Sequence, residues 1–274
     1  MTEVLTPTEE LPKVHGQTET WRLLIPQTLI QTKRLLVRWW RDPLTVVQSL
    51  IFPALLLVML NTVLGRQISS FSGASALYGS VPMVALVGVM SGSVAGAITL
   101  GRERDEGLLA RFWVLPVHRA SGLAARILAE AIRILLCTAV LFAVGVALGF
   151  RFEQGLLAGI ALFGVPLIFG IAFATVVTAV AVFSAKAALV EAVSLGSSLL
   201  MFFSSGFVPL IAYPKWAQPI VRHQPMSYAI DAMRGLSLGG PVRDPLLATI
   251  AWCIGALVIF AVPAALGYRR ASRS

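Results

Sequence analysis

The sequence predicts an all-α membrane protein. Six transmembrane helices follow an amphipathic interfacial helix, with a cytosolic coupling helix between spans two and three and outer-leaflet helices between spans five and six. Three observations carry this. Of 274 residues, 57% are hydrophobic and 13% charged, against roughly 25% charged in a soluble domain. Charge is missing from the runs Leu44–Gly65, Gln67–Gly101, Ile134–Phe150, Gln154–Ala185, Ala192–Pro214 and Pro245–Tyr268. None of these alternates apolar with polar residues, which removes a β-barrel. Crossing a ~30 Å hydrocarbon core takes about 20 apolar residues. Five runs reach that length directly, and the run from Ile134 reaches it by extending back over Ala124–Arg133.

Residues 1–19 are rich in Thr, Glu and Pro and read as a flexible cytosolic tail. Met1–Thr20 has no apolar core or small-residue cleavage site, so it does not read as a cleavable signal peptide. Residues 20–43 form the amphipathic connecting helix, 44–268 the six-span domain, and 269–274 a basic cytosolic tail. The formal charge is +9, and sixteen Lys and Arg lie on one side of the spans against six on the other. The basic side is cytoplasmic, which puts both termini in the cytosol and the protein in the inner membrane. Basicity therefore reports topology. No basic face is interleaved with base-stacking aromatics, so nucleic acid is not expected as a partner.

From Trp21 to Arg41, polar Gln27, Gln31, Arg34, Arg38 and Arg41 recur at helical spacing opposite Ile25, Leu29, Leu36 and Trp40. Such a helix lies in the membrane interface among lipid headgroups, and Pro43 ends it. It reads either as an anchor or as a lever into span one. Pro53 near the middle of span one is a kink site. Gly65–Gly79 reads as an outer loop. In span two, Gly88, Gly92 and Gly96 share one face, suited to close helix packing or to a lipid-lined path.

Gly101–Arg119 holds five consecutive charges, Arg102 to Glu106, and cannot stay in hydrocarbon. Arg102, Glu103, Arg104 and Glu106 offer charged contacts, and Gly107 permits a turn. Leu108, Leu109, Arg111, Phe112, Trp113 and Leu115 make an apolar-basic knob that Pro116 closes. A solvated loop seldom carries such a knob, so this reads as a partner surface. Ser121–Arg133 continues as helix into span three, where Arg126 and Glu130 have the spacing of an i,i+4 pair. Span four covers about Gly155–Phe183.

Glu191, near the start of span five, is a pathway candidate because a charge at that depth is a default functional residue. It reads equally as snorkelling or paired with Lys186. Asn61 is a second pathway candidate among the weakly polar span residues. Between Ser204 and Leu238, Pro209, Pro214, Pro219 and Pro225 break any straight helix. Met226, Ala229, Ile230 and Met233 share one face of a short helix, and Ser227, Asp231 and Arg234 the other. Pro209, Trp216, Pro225, Tyr228, Asp231 and Arg234 read as an outer gate or as structural padding. Cys137 and Cys253 lie in apolar spans and read as packing residues. No metal site is expected around the lone His118.

Together the two stretches resemble the permease subunits of ABC-2 type exporters. Arg102/Arg104, Glu103/Glu106, Gly107, Leu108 and Pro116 follow that family's first-loop pattern. Ser205, Gly206, Pro209, Pro214, Trp216, Pro225, Ser227, Tyr228, Asp231, Arg234 and Gly235 follow its late outer signature. The wording RFWVLPVHRASGL and the tail GYRRAS are similar to daunorubicin-resistance-type permeases, and closer to the mycobacterial permeases of phthiocerol dimycocerosate lipid export. The resemblance implies outward movement of a hydrophobic cargo, a complex lipid or a daunorubicin- or doxorubicin-like drug. It also implies two copies of a separate ATPase subunit, a second and different permease chain, and surrounding membrane lipid. The first loop, helped by Arg34 and Arg38, would dock on the ATPase. The chain carries no G-x-x-x-x-G-K-[ST] phosphate loop, so no cofactor is expected on it; ATP and Mg belong to the partner. It is read as a non-catalytic subunit. The alternative is an ion-coupled secondary transporter of hydrophobic compounds, which would bury several ionisable residues near the bilayer midplane.

Overall fold

The computed structural model describes residues 20–63, 65–72, 75–105, 119–183, 187–206 and 208–271. Helix α1 (Thr20–Arg41) ends where Asp42 takes over. The Asp42 carboxylate accepts from Thr45 N at 3.4 Å and from Thr45 Oγ1 at 2.6 Å, capping α2 (Pro43–Val63). Inside α2 a π-helical turn over Val47–Ile51 precedes Pro53. Proline cannot donate to the carbonyl four residues back, and the widened turn absorbs that missing bond. A short helix α3 (Gly65–Ser72) stands where an outer loop was expected. Ser69 holds it there: its hydroxyl donates to Gly65 O at 2.7 Å and accepts from Ala76 N at 3.1 Å.

Next come α4 (Leu77–Asp105), α5 (Arg119–Ala147), α6 (Gly155–Phe183) and α7 (Ala187–Phe202). The chain continues through a 3-10 turn (Leu210–Ala212), α8 (Gln218–His223), α9 (Pro225–Leu238) and α10 (Arg243–Ala271). No strand occurs among the described residues. Pro219 and Pro225 sit in the first turns of α8 and α9, where a missing N–H is harmless. They start helices, and so fit the expectation that no straight helix crosses this region.

Among the described residues, five helices are long and apolar enough to span a membrane: Pro43–Val63, Leu77–Glu103, Ala124–Ala147, Gly155–Val182 and Arg243–Ala264. The expected fifth span is different. Helix α7 has 16 residues, about 24 Å of rise at 1.5 Å each, because the apolar run from Ala192 breaks after Phe202. There Ser205 N donates to Ser227 Oγ at 3.1 Å, and Gly206 packs so closely that a Cβ would lie 2.7 Å from Met83 Cβ.

Helix α4 is the hub, packing on α2, α5, α6, α7 and α9. In its most apolar window 78% is buried, against 11% for α10, which lies mainly on α6 and α9. Between apolar helices in lipid there is no hydrophobic drive, so close approach over small residues carries the packing. Gly88 serves this: a Cβ there would lie 2.9 Å from Leu141 Cδ1 and 3.0 Å from Ser49 O. Gly96, two helical steps on, has nothing within 4 Å and faces a cavity.

At the Tyr78 end, Phe150 is fully buried between Tyr78 and Phe142, with ring centroids 5.2 and 6.3 Å away. Gly149, at φ +107, lets the chain turn under them. Phe150 N returns to Gly145 O at 2.9 Å and Gly149 N to Val146 O at 3.0 Å, the paired bonds of a Schellman cap.

Candidate functional site

The opposite, Glu103 end is built by ion pairs. Glu103 sits in the last turns of α4 and is 3% exposed. Arg38 of α1 donates from Nη1 to its Oε1 at 2.7 Å, and Arg126 of α5 donates from Nη2 to its Oε2. One carboxylate thus ties three helices together. Around it α1 lies along α5: Gln31 Nε2 donates to Ser121 Oγ at 3.3 Å and the buried Thr32 hydroxyl to Ala125 O at 3.3 Å. The rest of α1 leaves Ile25, Leu29, Ile30 and Trp40 exposed, apolar surface of the kind that suits a membrane interface. The Thr45 hydroxyl holds the Asp42 carboxyl below its usual value, against the opposing effect of partial burial.

The expected i,i+4 pair of Arg126 with Glu130 gives way to two other pairs. Arg126 turns to Glu103, and Glu130 takes Arg133, whose Nε donates to Oε2 at 3.2 Å and whose Nη2 donates to Oε1. Ser93 of α4 joins them, its hydroxyl donating to Glu130 Oε1 at 2.6 Å and accepting from Arg133 Nη2 at 3.3 Å. The guanidinium lies over Gly92, where a Cβ would stand 1.4 Å from Nη1. Only glycine leaves it that place. Both pairs border a cavity of about 370 Å³ whose walls come from α1, the start of α2, α4, α5, α6 and α10. Sequence reading placed Arg126, Glu130 and Arg133 on the inner portion of span three and missed this cluster. The available signal was Ser93 beside Gly92 at matching depth on the preceding span.

Of the expected docking residues, Arg34, Arg38 and Arg102 are exposed, whereas Glu103 is turned inward. Arg104 belongs to α4, with its side chain outside the described residues; Glu106, Gly107, Leu108, Arg111, Phe112, Trp113, Leu115 and Pro116 also lie outside them. Glu191 belongs to α7, its side chain likewise undescribed. Asn61 is half-buried in α2, its Oδ1 3.3 Å from the place of a Gly65 Cβ.

At the Tyr78 end, the expected gate residues divide. Ser205 Oγ donates to Asp231 Oδ1 at 2.9 Å; Arg234 Nη2 donates to Ser205 O at 3.1 Å, and its Nη1 lies 3.5 Å from Asp231 Oδ1. Burial pushes the Asp231 carboxyl up, while Arg234 and Ser205 pull it down. Gln224, unremarked in the sequence, donates to Ser227 Oγ at 2.9 Å, to Leu200 O at 3.3 Å and to Phe203 O, holding the end of α7. Tyr213 adds a bond to Phe202 O at 2.8 Å. Met226, Ala229, Ile230 and Met233 are fully buried against α4, α6 and α10, so α9 is wedged among the long helices. Tyr228 meets the His223 ring edge-on at 6.2 Å, Pro209 leads into the 3-10 turn, and Trp216 is 72% exposed.

A multi-pass bundle of apolar helices, stapled by charge at one end and wedged by α9 at the other, is the frame of a membrane permease. The chain belongs to the ABC-2 type transporter family, whose profile matches residues 26–238, a span holding both signature stretches. Over 260 residues it is 52% identical to the probable doxorubicin resistance ABC transporter permease protein DrrC of Mycobacterium tuberculosis (strains H37Rv and CDC 1551 / Oshkosh), covering 95% of this chain and 94% of that protein. The daunorubicin resistance ABC transporter permease protein DrrB1 of Streptomyces coeruleorubidus is 26% identical over 216 residues, 78% of this chain and 76% of that one. The family resemblance read from the sequence is thus shown.

Proposed function

We propose that this chain is the non-catalytic, membrane-spanning subunit of an ATP-driven exporter of hydrophobic cargo from the inner membrane. Two ATPase subunits hydrolyse ATP with Mg, and a second, different permease completes the pathway. The cargo is an anthracycline-like drug, as the names of the relatives suggest, or a complex lipid of the phthiocerol dimycocerosate kind, as the sequence wording suggests.

The observation that carries the reading is the Glu103 staple. Residues 106–118 follow α4 directly, and Glu103, just before them, is bonded to α1 and α5. A push on that segment therefore reaches three helices at once. Six crossings with cytosolic termini are part of the proposal. In support, α6 borders the cavity by Thr178 at the Glu103 end, while the chain beyond α7 packs on Gly79 at the other. Helix α7 and its flanks thus run between the two ends. Among the described residues, the largely buried Glu130–Arg133 pair is a feature an ion-coupled carrier would use. It is matched within itself, with no lone charge to bind an ion.

The test is purification of the expressed complex with a tag on this chain. Glu106→Lys combined with Trp113→Ala is expected to remove the ATPase from the purified material, while this chain and the second permease remain. Undiminished recovery of the ATPase would sink the docking assignment.

A further inference from the structure

Two buried hydrogen-bond donors at the Glu103 end have no acceptor. Arg133 is 5% exposed; Glu130 and Ser93 take its Nε and Nη2, and Nη1 has no partner. The indole Nε1 of Trp39 is likewise buried without a partner. Both residues line the same cavity of about 370 Å³. Thr138 Oγ1, the third such atom among the described residues, belongs to a residue that does not. Leaving a buried donor unmet is costly, and two in one cavity ask for an acceptor from outside the chain.

The charge around them narrows its chemistry. Three arginines (Arg38, Arg126, Arg133) and three carboxylates (Asp42, Glu103, Glu130) line the cavity. Arg38 and Arg126 share Glu103, Arg133 has Glu130, and Asp42 is held by Thr45. The three arginines and three carboxylates balance in sum, so a phosphate or carboxylate would find no net positive charge there. An uncharged oxygen acceptor supplies what is missing. The remaining wall is mainly apolar, with Leu35, Leu36, Ile171 and Leu257 beside the hydroxyls of Thr99, Thr175 and Thr178, and it reaches the surface at Ile127, which is 59% exposed. Few oriented polar groups in an apolar cleft is the usual make-up of a small-molecule site.

We propose that this cavity takes up an uncharged amphiphile bearing ester or ketone oxygens. One oxygen accepts from Arg133 Nη1 and another from Trp39 Nε1, while the hydrocarbon follows the apolar wall into the membrane. Calling that ligand the cargo rests on the export reading above; the site itself does not.

The experiment uses the complete complex with its ATPase in phosphatidylcholine nanodiscs. Two photoactivatable probes with the same acyl chains are compared, diacylglycerol (uncharged, two esters) and phosphatidic acid (anionic), and the crosslinks are mapped by peptide mass spectrometry. Diacylglycerol is expected to label the α1 segment around Leu35–Trp39 and the α5 segment around Ile127–Arg133, with phosphatidic acid weaker at both. Trp39→Phe keeps the ring and removes only the N–H. Arg133→Lys keeps a cation for Glu130 but loses the guanidinium fork. Each is expected to lower labelling about fivefold, the effect of one hydrogen bond. Should Arg133→Lys fail to fold, Trp39→Phe decides alone. Labelling unchanged by Trp39→Phe, labelling elsewhere only, or preference for phosphatidic acid overturns the proposal. ATP separates the two readings. Labelling that follows the expected pattern but does not respond to ATP supports the site and counts against export. Lost labelling in Trp39→Phe with drug export intact overturns the site as cargo-bearing and leaves export standing.

Discussion

Glu103 shows how far a residue's role departs from its type. A glutamate in a run of five charges looks like a surface contact, yet its carboxylate is buried between Arg38 and Arg126. Breaking such a unit at its centre strands two cations; breaking it at the rim strands none. Glu103→Gln is therefore expected to cost roughly 3 kcal/mol. Arg38→Ala, at a side chain 47% exposed, should cost under ~1 kcal/mol. The midpoint of thermal unfolding in detergent checks both, and equal losses would mean that the three groups do not act as a unit. Sequence showed that residues 38, 103 and 126 are charged but not that they meet. Contacts 65 and 23 positions apart depend on α5 folding back beside α4 and on α1 lying along α5, which no local pattern encodes. The Glu130–Arg133–Ser93 cluster was hidden for the same reason: each member is ordinary until α4 and α5 are laid together.

At the scale of elements, the sequence was most informative where hydrophobicity alone decides. The bounds of α6, Gly155–Phe183, were read from the absence of charge, and α1 from its spaced arginines. It was least informative where tertiary contacts overrule a run, as at Phe202, where Gln224 and Ser227 of the α9 region end α7. Apolar content gives no warning of that. The glycine face of α4 was legible as a spacing but not as a set of separate sites. Gly88→Ala must push against Leu141 and the Ser49 carbonyl, and is expected to destabilise by about 1–3 kcal/mol. Gly96→Ala meets nothing within 4 Å and gains helix propensity, so it should be neutral or stabilising by up to ~1 kcal/mol. Size-exclusion profiles after heating read the contrast, and a matching loss at Gly96 would show that this face is packed throughout.

For the molecule as a whole, the two ends differ in kind. The Glu103 end is held by ion pairs between helices and borders a cavity, whereas the Tyr78 end is held by aromatic contacts and by α9 wedged among the long helices. Under the proposed function, force delivered at residues 106–118 would meet adjustable polar contacts first and a packed plug last, the order an exporter needs. That order has meaning only if the ends face opposite compartments. Cys137 and Cys253 are both buried, so the native thiols give little background for labelling by a membrane-impermeant maleimide. Trp216→Cys, at a position 72% exposed, is expected to label on intact cells. Lys33→Cys on the exposed face of α1 should label only after the membrane is opened. Labelling of Lys33→Cys from outside would reverse the orientation derived from the lysines and arginines, and with it the direction of transport. Labelling of both from one side would mean that α7 does not cross.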